Sequence, residues 1–188
     1  MNDPLSLPQQ VVSIHRALQQ AQLPHAFGGA LALAYCTAEP RGTRDIDVNV
    51  FLGIDQVAKL LAALPTDIEA TDGNVADLER DGQSRLWWGD TPVDVFLSNH
   101  SFHDSAEANR RYVQFAGVER LPVLACDDLA VFKAFFARPK DAVDVATMVA
   151  AGSIDIDVLE ETVEVLIGDP DDRADFFSRV REDAPRIS

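Results

Sequence analysis

Apolar positions along the chain change period several times, and each change predicts an element. Between Pro8 and Gln22, the positions Val11, Val12, Ile14 and Leu18, followed by Leu23, recur near helical spacing, and Pro24 ends the run. His25 to Phe27 reads as a short strand entering Gly28-Gly29, and Ala30 to Thr37 is Ala/Leu-rich and helix-forming up to Pro40. Ile46 to Leu52 alternates as a strand. Gln56 to Leu64 carries an apolar stripe of Val57, Leu60, Leu61 and Leu64, with Asp55 as its expected cap. Residues 66–83 follow neither period and hold two turn signals, Asp72-Gly73 and Asp81-Gly82. Arg85 to Trp88 and Thr91 to Leu97 then read as a hairpin closed at Gly89-Asp90.

The second half of the chain is simpler. A polar loop with His100 and His103 leads to a short helix around Ala106 to Arg111. Val113 to Phe115 and Leu121 to Leu124 are short strands. Four helices follow, over Asp128 to Ala137, Asp141 to Ala151, Asp157 to Ile167 and Asp171 to Arg181. Asp127, Asp141 and Asp171 are their expected N-terminal caps. The order predicts an α/β fold: a small mixed sheet of roughly five strands flanked by helices over residues 1–125. A helical C-terminal region over 126–188 packs on that core.

Composition narrows this picture in four ways. With 188 residues and 47% apolar content, the chain can bury a core in one domain or a domain with a helical annex. A net charge of -15 argues against a generic nucleic-acid coat while leaving room for a local basic cleft, a divalent cation or a basic partner. No apolar run is long enough to span a bilayer, and the N-terminus lacks a basic-then-apolar leader. Cys36 and Cys126 stand far apart and make neither a disulfide framework nor a Cys-based zinc site, so a reduced, cytoplasmic location is expected.

The candidate chemistry lies on the strands. Side chains alternate along a strand, so Asp45, Asp47 and Asn49 share one face and Ile46, Val48 and Val50 the other. Two like charges side by side are costly unless a cation sits between them. Asp94, alternating against Val93 and Val95 on the later hairpin, offers a third carboxylate. Three carboxylates on adjacent strands make a hard-oxygen site suited to Mg²⁺, and two ions about 4 Å apart can clamp both oxygens of a phosphoryl or nucleotidyl transfer. Gly28 and Gly29 allow backbone N–H groups to approach a phosphate before a helix N-terminus. Thr43 can add a hydroxyl, and Arg41 and Arg44 can neutralise a triphosphate. Lys133 falls on the helical face of Leu129, Phe132 and Phe136, an inward position that asks for an anionic partner such as the triphosphate.

Taken together, G-G-A-L-A, R-G-T-R-D-I-D-V, V-D-V-F-L and D-D-L-A-V-F-K-A-F-F-A-R-P-K-D-A-V-D resemble the nucleotidyltransferase-like proteins of the DNA polymerase β superfamily. The resemblance spans roughly residues 24–150 and is nearest to the AbiEii and MenT-type toxins of toxin–antitoxin systems. It implies an enzyme that uses Mg²⁺, as two ions, and an NTP co-substrate such as ATP. The nucleoside monophosphate would pass to an RNA acceptor, the tRNA 3′ end, with a cognate antitoxin protein as a further partner. By position, Gly28 and Gly29 match the glycine turn, Asp45 and Asp47 the metal pair, Asp94 the third carboxylate and Lys133 the helical lysine. Asp141 and Asp144 lie where the family has a further functional acid. Ala30 stands where many members carry a serine, so Thr43 would have to replace that phosphate contact.

Two other functions fit the same residues. The acceptor can be a small molecule of the antibiotic type or a protein, which the acidic surface favours. The chain can also be a catalytically silent nucleotide-binding or antitoxin-like partner, against which the three aspartates count. Taken singly, Asp45 and Asp47 are compatible with a solvated strand face and Lys133 with a lysine that reaches solvent. Of Trp87 and Trp88, alternation sends one ring to the core and the other to the surface.

Overall fold

The computed structural model describes residues 4–39, 42–168 and 173–187. Arg41 and the expected cap Asp171 lie outside them. The chain divides into two compact units, one of residues 1–31 and 42–124 and the other of residues 32–41 and 125–188.

The first unit is built on a mixed sheet. Its strands are β1 (His25–Phe27), β2 (Ile46–Gly53), β3 (Ile68–Glu69), β4 (Gln83–Trp88), β5 (Thr91–Ser98), β6 (Arg111–Phe115) and β7 (Val118–Val123). Among the described residues these seven form one sheet in the order β3-β4-β5-β2-β1-β7-β6. The α/β class holds, with seven strands in a sheet expected to have roughly five. Six fall on stretches read as strands, and the seventh is β3, from the stretch that showed no clear period. Its two residues pair with Trp88 and Trp87 as an edge strand too short to leave a pattern. β2 runs parallel to β5, and β1 runs parallel to β7, while the hairpins are antiparallel. Parallel neighbours need long connections, which is why the sheet order does not follow the chain order.

Helices α1 (Leu7–Gln20), α3 (Val57–Ala63), α4 (Asp72–Asp81) and α5 (Phe102–Ala108) complete this unit. α1 buries Val11, Val12, Ile14 and Leu18, the stripe that its period predicts. It is also tied to β1 by two buried rings. The His25 Nδ1–H donates to the Leu23 carbonyl at 2.8 Å, which leaves Nε2 to accept from His15 Nδ1 at 3.0 Å. Asp55 does not cap α3; it sits inside a 3₁₀ turn, Ile54–Gln56, that precedes the helix. α4 replaces the two expected turns: Thr71 and Asn74 form a reciprocal capping box, and Gly82 ends the helix in the left-handed conformation. The box outweighs the weak helix propensity of Asp72-Gly73. Trp88 is buried and Trp87 exposed, as alternation requires.

The second unit is helical, with α6 (Cys126–Phe136), α7 (Pro139–Ala150), α8 (Ile156–Ile167) and α9 (Ala174–Ile187). Helix α2 (Gly29–Thr37) starts in the first unit and continues in this one. Ala134, Val145, Ala146, Met148 and Val180 are fully buried here. Asp127 lies in the first turn of α6 without capping it, and Asp155 caps α8 through the N–H groups of Asp157 and Val158. Arg173 donates to the Ala134 and Phe135 carbonyls at the end of α6.

Cys36 and Cys126 are bonded to each other, contrary to the expectation of two free thiols. Distance along the sequence concealed the pair. α2 and α6 bring two buried cysteines to a Cα separation of 5.6 Å, within the range a disulfide spans. The cysteine spacing therefore gives no ground for a reducing compartment. No helix among the described residues is long and apolar enough to cross a membrane.

Candidate active site

The residues that the sequence singles out in the first unit lie on β2 and its neighbours β1 and β5 and in the turns that lead from or into them. Val48 and Val50 are fully buried beneath it and lock the register of β2, because a one-residue slip would turn every aspartate inward. That register sets Asp47 directly beside Asp94 of β5, and Asp94 directly beside Arg85 of β4. Asp47, Asp94 and Arg85 thus form one row across three strands. Asp45 stands one step before β2 begins. The Thr43 hydroxyl donates to its carboxylate at 2.5 Å, so Thr43 orients Asp45 from within the turn. Arg44 is exposed.

The glycine turn is bound into this row. The Gly28 N–H donates to the Asp47 carbonyl at 2.9 Å, continuing the β1–β2 pairing. Gly29 has a φ of +49°, and a Cβ placed there would lie 1.8 Å from Asp47 Oδ2. A Cβ on Gly28 would come within 3.1 Å of the buried Asn49 amide. Gly29 is therefore required by the close approach of β2, independently of any phosphate, and Gly28 sits in a tight fit against Asn49. Sequence spacing alone presents them as a phosphate turn. In the fold they make room for the carboxylate of Asp47.

Arg85 is the residue that sequence reasoning missed. Its Nε donates to Asp94 Oδ1 and its Nη2 to Asp94 Oδ2, both at 2.7 Å. This bidentate bond raises the pKa of the guanidinium above its ordinary value, and the charges of Asp45 and Asp47 push in the same direction from farther away. The signal was present in the hairpin. A two-residue loop at Gly89-Asp90 pairs Trp88 with Thr91, and counting back places Arg85 opposite Asp94.

Lys133, Asp141 and Asp144 come together in the second unit. Lys133 Nζ lies 2.5 Å from Asp144 Oδ2 and 3.5 Å from Asp141 Oδ1, and all three side chains are buried. Asp141 also accepts from Arg138 Nε at 2.6 Å. The inward lysine has its anionic partners on the next helix, and its charge is met there.

Solved structures match this fold over nearly its whole length. The solution structure of the antibiotic-resistance factor ANT(2'')-Ia does so with a TM-score of 0.57 and 16% identity, covering 93% of each chain. The crystal structure of ANT(2'')-Ia in complex with adenylyl-2''-tobramycin does so with a TM-score of 0.56 and 17% identity, covering 92% of this chain and 97% of that one. The chain shares the fold of these ANT(2'')-Ia structures. No protein-family model and no curated protein matches the sequence.

The three residues that the sequence singles out, Asp45, Asp47 and Asp94, offer only carboxylate oxygen, a donor chemistry that suits Mg²⁺. Among the described residues, no group of three or more His, Cys, Asp or Glu side chains is gathered tightly enough to hold a metal ion. The residue types fit the ion. In the row, the third carboxylate is paired with Arg85.

Proposed function

We propose that the chain transfers a nucleoside monophosphate from an NTP to an acceptor hydroxyl, with Mg²⁺ held by Asp45, Asp47 and Asp94. The observation that carries this reading is the parallel register of β2 and β5. It sets Asp47 and Asp94 side by side on one sheet face, next to the glycine turn of a nucleotidyltransferase fold. In the reaction, the acceptor oxygen forms a bond to the α-phosphorus and the bond to the pyrophosphate oxygen breaks. Asp94 accepts the proton of the attacking hydroxyl. The turn at Gly28-Gly29 and the exposed Arg44 face the phosphates. Bound Mg²⁺ supplies charge neutralisation at the entering and leaving oxygens. Lys133 is read as a structural cation for Asp141 and Asp144.

For the acceptor we propose a small cationic molecule of the aminoglycoside type. A net charge of -15 attracts a polyamine and repels a polyanion. The ANT(2'')-Ia complex with adenylyl-2''-tobramycin is consistent with that choice. A second reading is favoured by the motif resemblance to the MenT-type group: the tRNA 3′ end as acceptor, with a toxin role and a cognate antitoxin.

One experiment separates these. Each of the four NTPs, labelled at the α-phosphate, is offered with Mg²⁺ to aminoglycosides, total tRNA and protein. The wild-type chain is expected to label the aminoglycosides. The Asp47→Ala variant should lose about 10²–10³ in rate, the loss typical when a group that stabilises transition-state charge is removed. Equal labelling by the variant would sink the mechanism, and labelling of tRNA alone would move the acceptor to the second reading.

A further inference from the structure

The third carboxylate is closed to a cation as the side chains stand. Both oxygens of Asp94 accept from Arg85, whose fork matches a carboxylate bidentately. The two ends of the pair differ in exposure. The Asp94 side chain is 18% exposed and that of Arg85 52% exposed. The arginine can therefore swing away while the aspartate stays anchored in β5. Arg85 projects from the same sheet face as Asp47 and Asp94.

Two chemical facts decide what would displace it. A bare divalent cation must compete with Arg85 for Asp94 and would bring the two positive charges close together. A cation that arrives with a polyphosphate brings an anion for the guanidinium to pair with instead, and phosphate accepts the same two-pronged hydrogen bond. The exchange conserves the number of paired charges in the second case and not in the first.

We propose that Arg85 gates Asp94: it holds the carboxylate when no nucleotide is bound, and it moves to the phosphates when nucleotide and cation enter together. The inference rests on the nucleotidyl-transfer reading and adds a regulation of the same site. Arg85 becomes the element through which cation and nucleotide affinities are coupled, each raising the other by the same factor. It also suppresses loading of the site by free divalent ions. Arg85 is in this sense a gating and phosphate-pairing residue.

The test is isothermal titration of the full chain with Mg²⁺, with the non-transferable α,β-methylene analogues of the four NTPs, and with both together. Arg85→Ala is expected to bind free Mg²⁺ about tenfold more tightly than wild type and the Mg²⁺-analogue complex about tenfold more weakly, with the coupling largely lost. Arg85→Lys, which keeps a charge without the bidentate fork, should fall between the two. It also serves if Arg85→Ala melts at a lower temperature. Free Mg²⁺ binding that is unchanged or weakened in both variants, with cation-dependent analogue binding intact in wild type, overturns the gate and makes Arg85 a support for Asp94. Analogue binding that needs no divalent cation in wild type overturns the nucleotidyl-transfer reading, and the gate with it.

Discussion

A single methyl group at position 29 would meet the carboxylate of Asp47 well inside contact distance. Gly29→Ala therefore couples two faults, a side chain in a left-handed backbone and the displacement of a site carboxylate. We expect a stability loss of about 1–2 kcal/mol by thermal melting, the usual cost of that conformation for an L-residue. Transfer activity should fall about as far as in Asp47→Ala. A variant that melts normally and labels its acceptor normally would show that Asp47 can move without consequence. At this scale the sequence was readable wherever alternation or glycine spelled out the geometry: Asp47, Asp94 and the glycine turn. It was unreadable where a side chain's role depends on a partner across strands. Thr43 was expected to offer its hydroxyl to phosphate or metal, and its bond to Asp45 left no mark in the sequence; Arg85 passed as an ordinary strand residue.

Helix α6 illustrates a half-correct reading at the scale of elements. The period of Leu129, Phe132 and Phe136 placed Lys133 inward, and burial made an anionic partner obligatory. The partners are supplied by α7, whose acids Asp141 and Asp144 are spaced three apart and face back toward α6. Lys133→Met should destabilise the chain by about 3–5 kcal/mol, because it removes the buried ammonium that Asp141 and Asp144 share, while Asp141 keeps Arg138. Chemical denaturation measures this directly. A loss below 1 kcal/mol would mean that Arg138 alone satisfies the acids. Helix starts were the least legible feature. Asp is a good cap anywhere near a helix N-terminus, so Asp55 and Asp127 competed with residues that the backbone selected instead. The box of Thr71 and Asn74 was hidden because Asn in place of Glu or Gln departs from the usual pattern.

Properties of the whole molecule depend on pairs that are distant in sequence. The buried rings of His15 and His25 are one such pair. Burial lowers the pKa of His25 to about 4 from 6.5, and burial together with nearby Arg16 lowers that of His15. The unfolded chain therefore binds more protons than the folded one below pH 6.5, so stability falls as pH drops from about 6.5 toward 4. For His25 alone the full effect is about 3 kcal/mol, at ~1.4 kcal/mol per unit. His25→Gln should flatten the slope of stability against pH between those values, whatever it does to the absolute level. An unchanged slope would assign the acid sensitivity to other groups. The disulfide and the two parallel strand pairs belong to this scale too, and no local pattern announces them. The sheet order carries one more consequence, for the emergence of the chain from the ribosome. β2, β4 and β5, which bear the row of Asp47, Asp94 and Arg85, lie within Ile46–Ser98 and can pair as soon as that stretch is free. β1, the strand that leads into the glycine turn, can pair with β2 in that same stretch, but its other neighbour is β7, the last strand to be made. Until then Ala26 and Phe27, fully buried in the finished fold, have one flank uncovered. Non-local pairing of this kind is slow and exposes an unpaired edge while it is pending. The carboxylates are thus assembled early in synthesis, and the strand beside them is covered on its second flank only when β7 arrives.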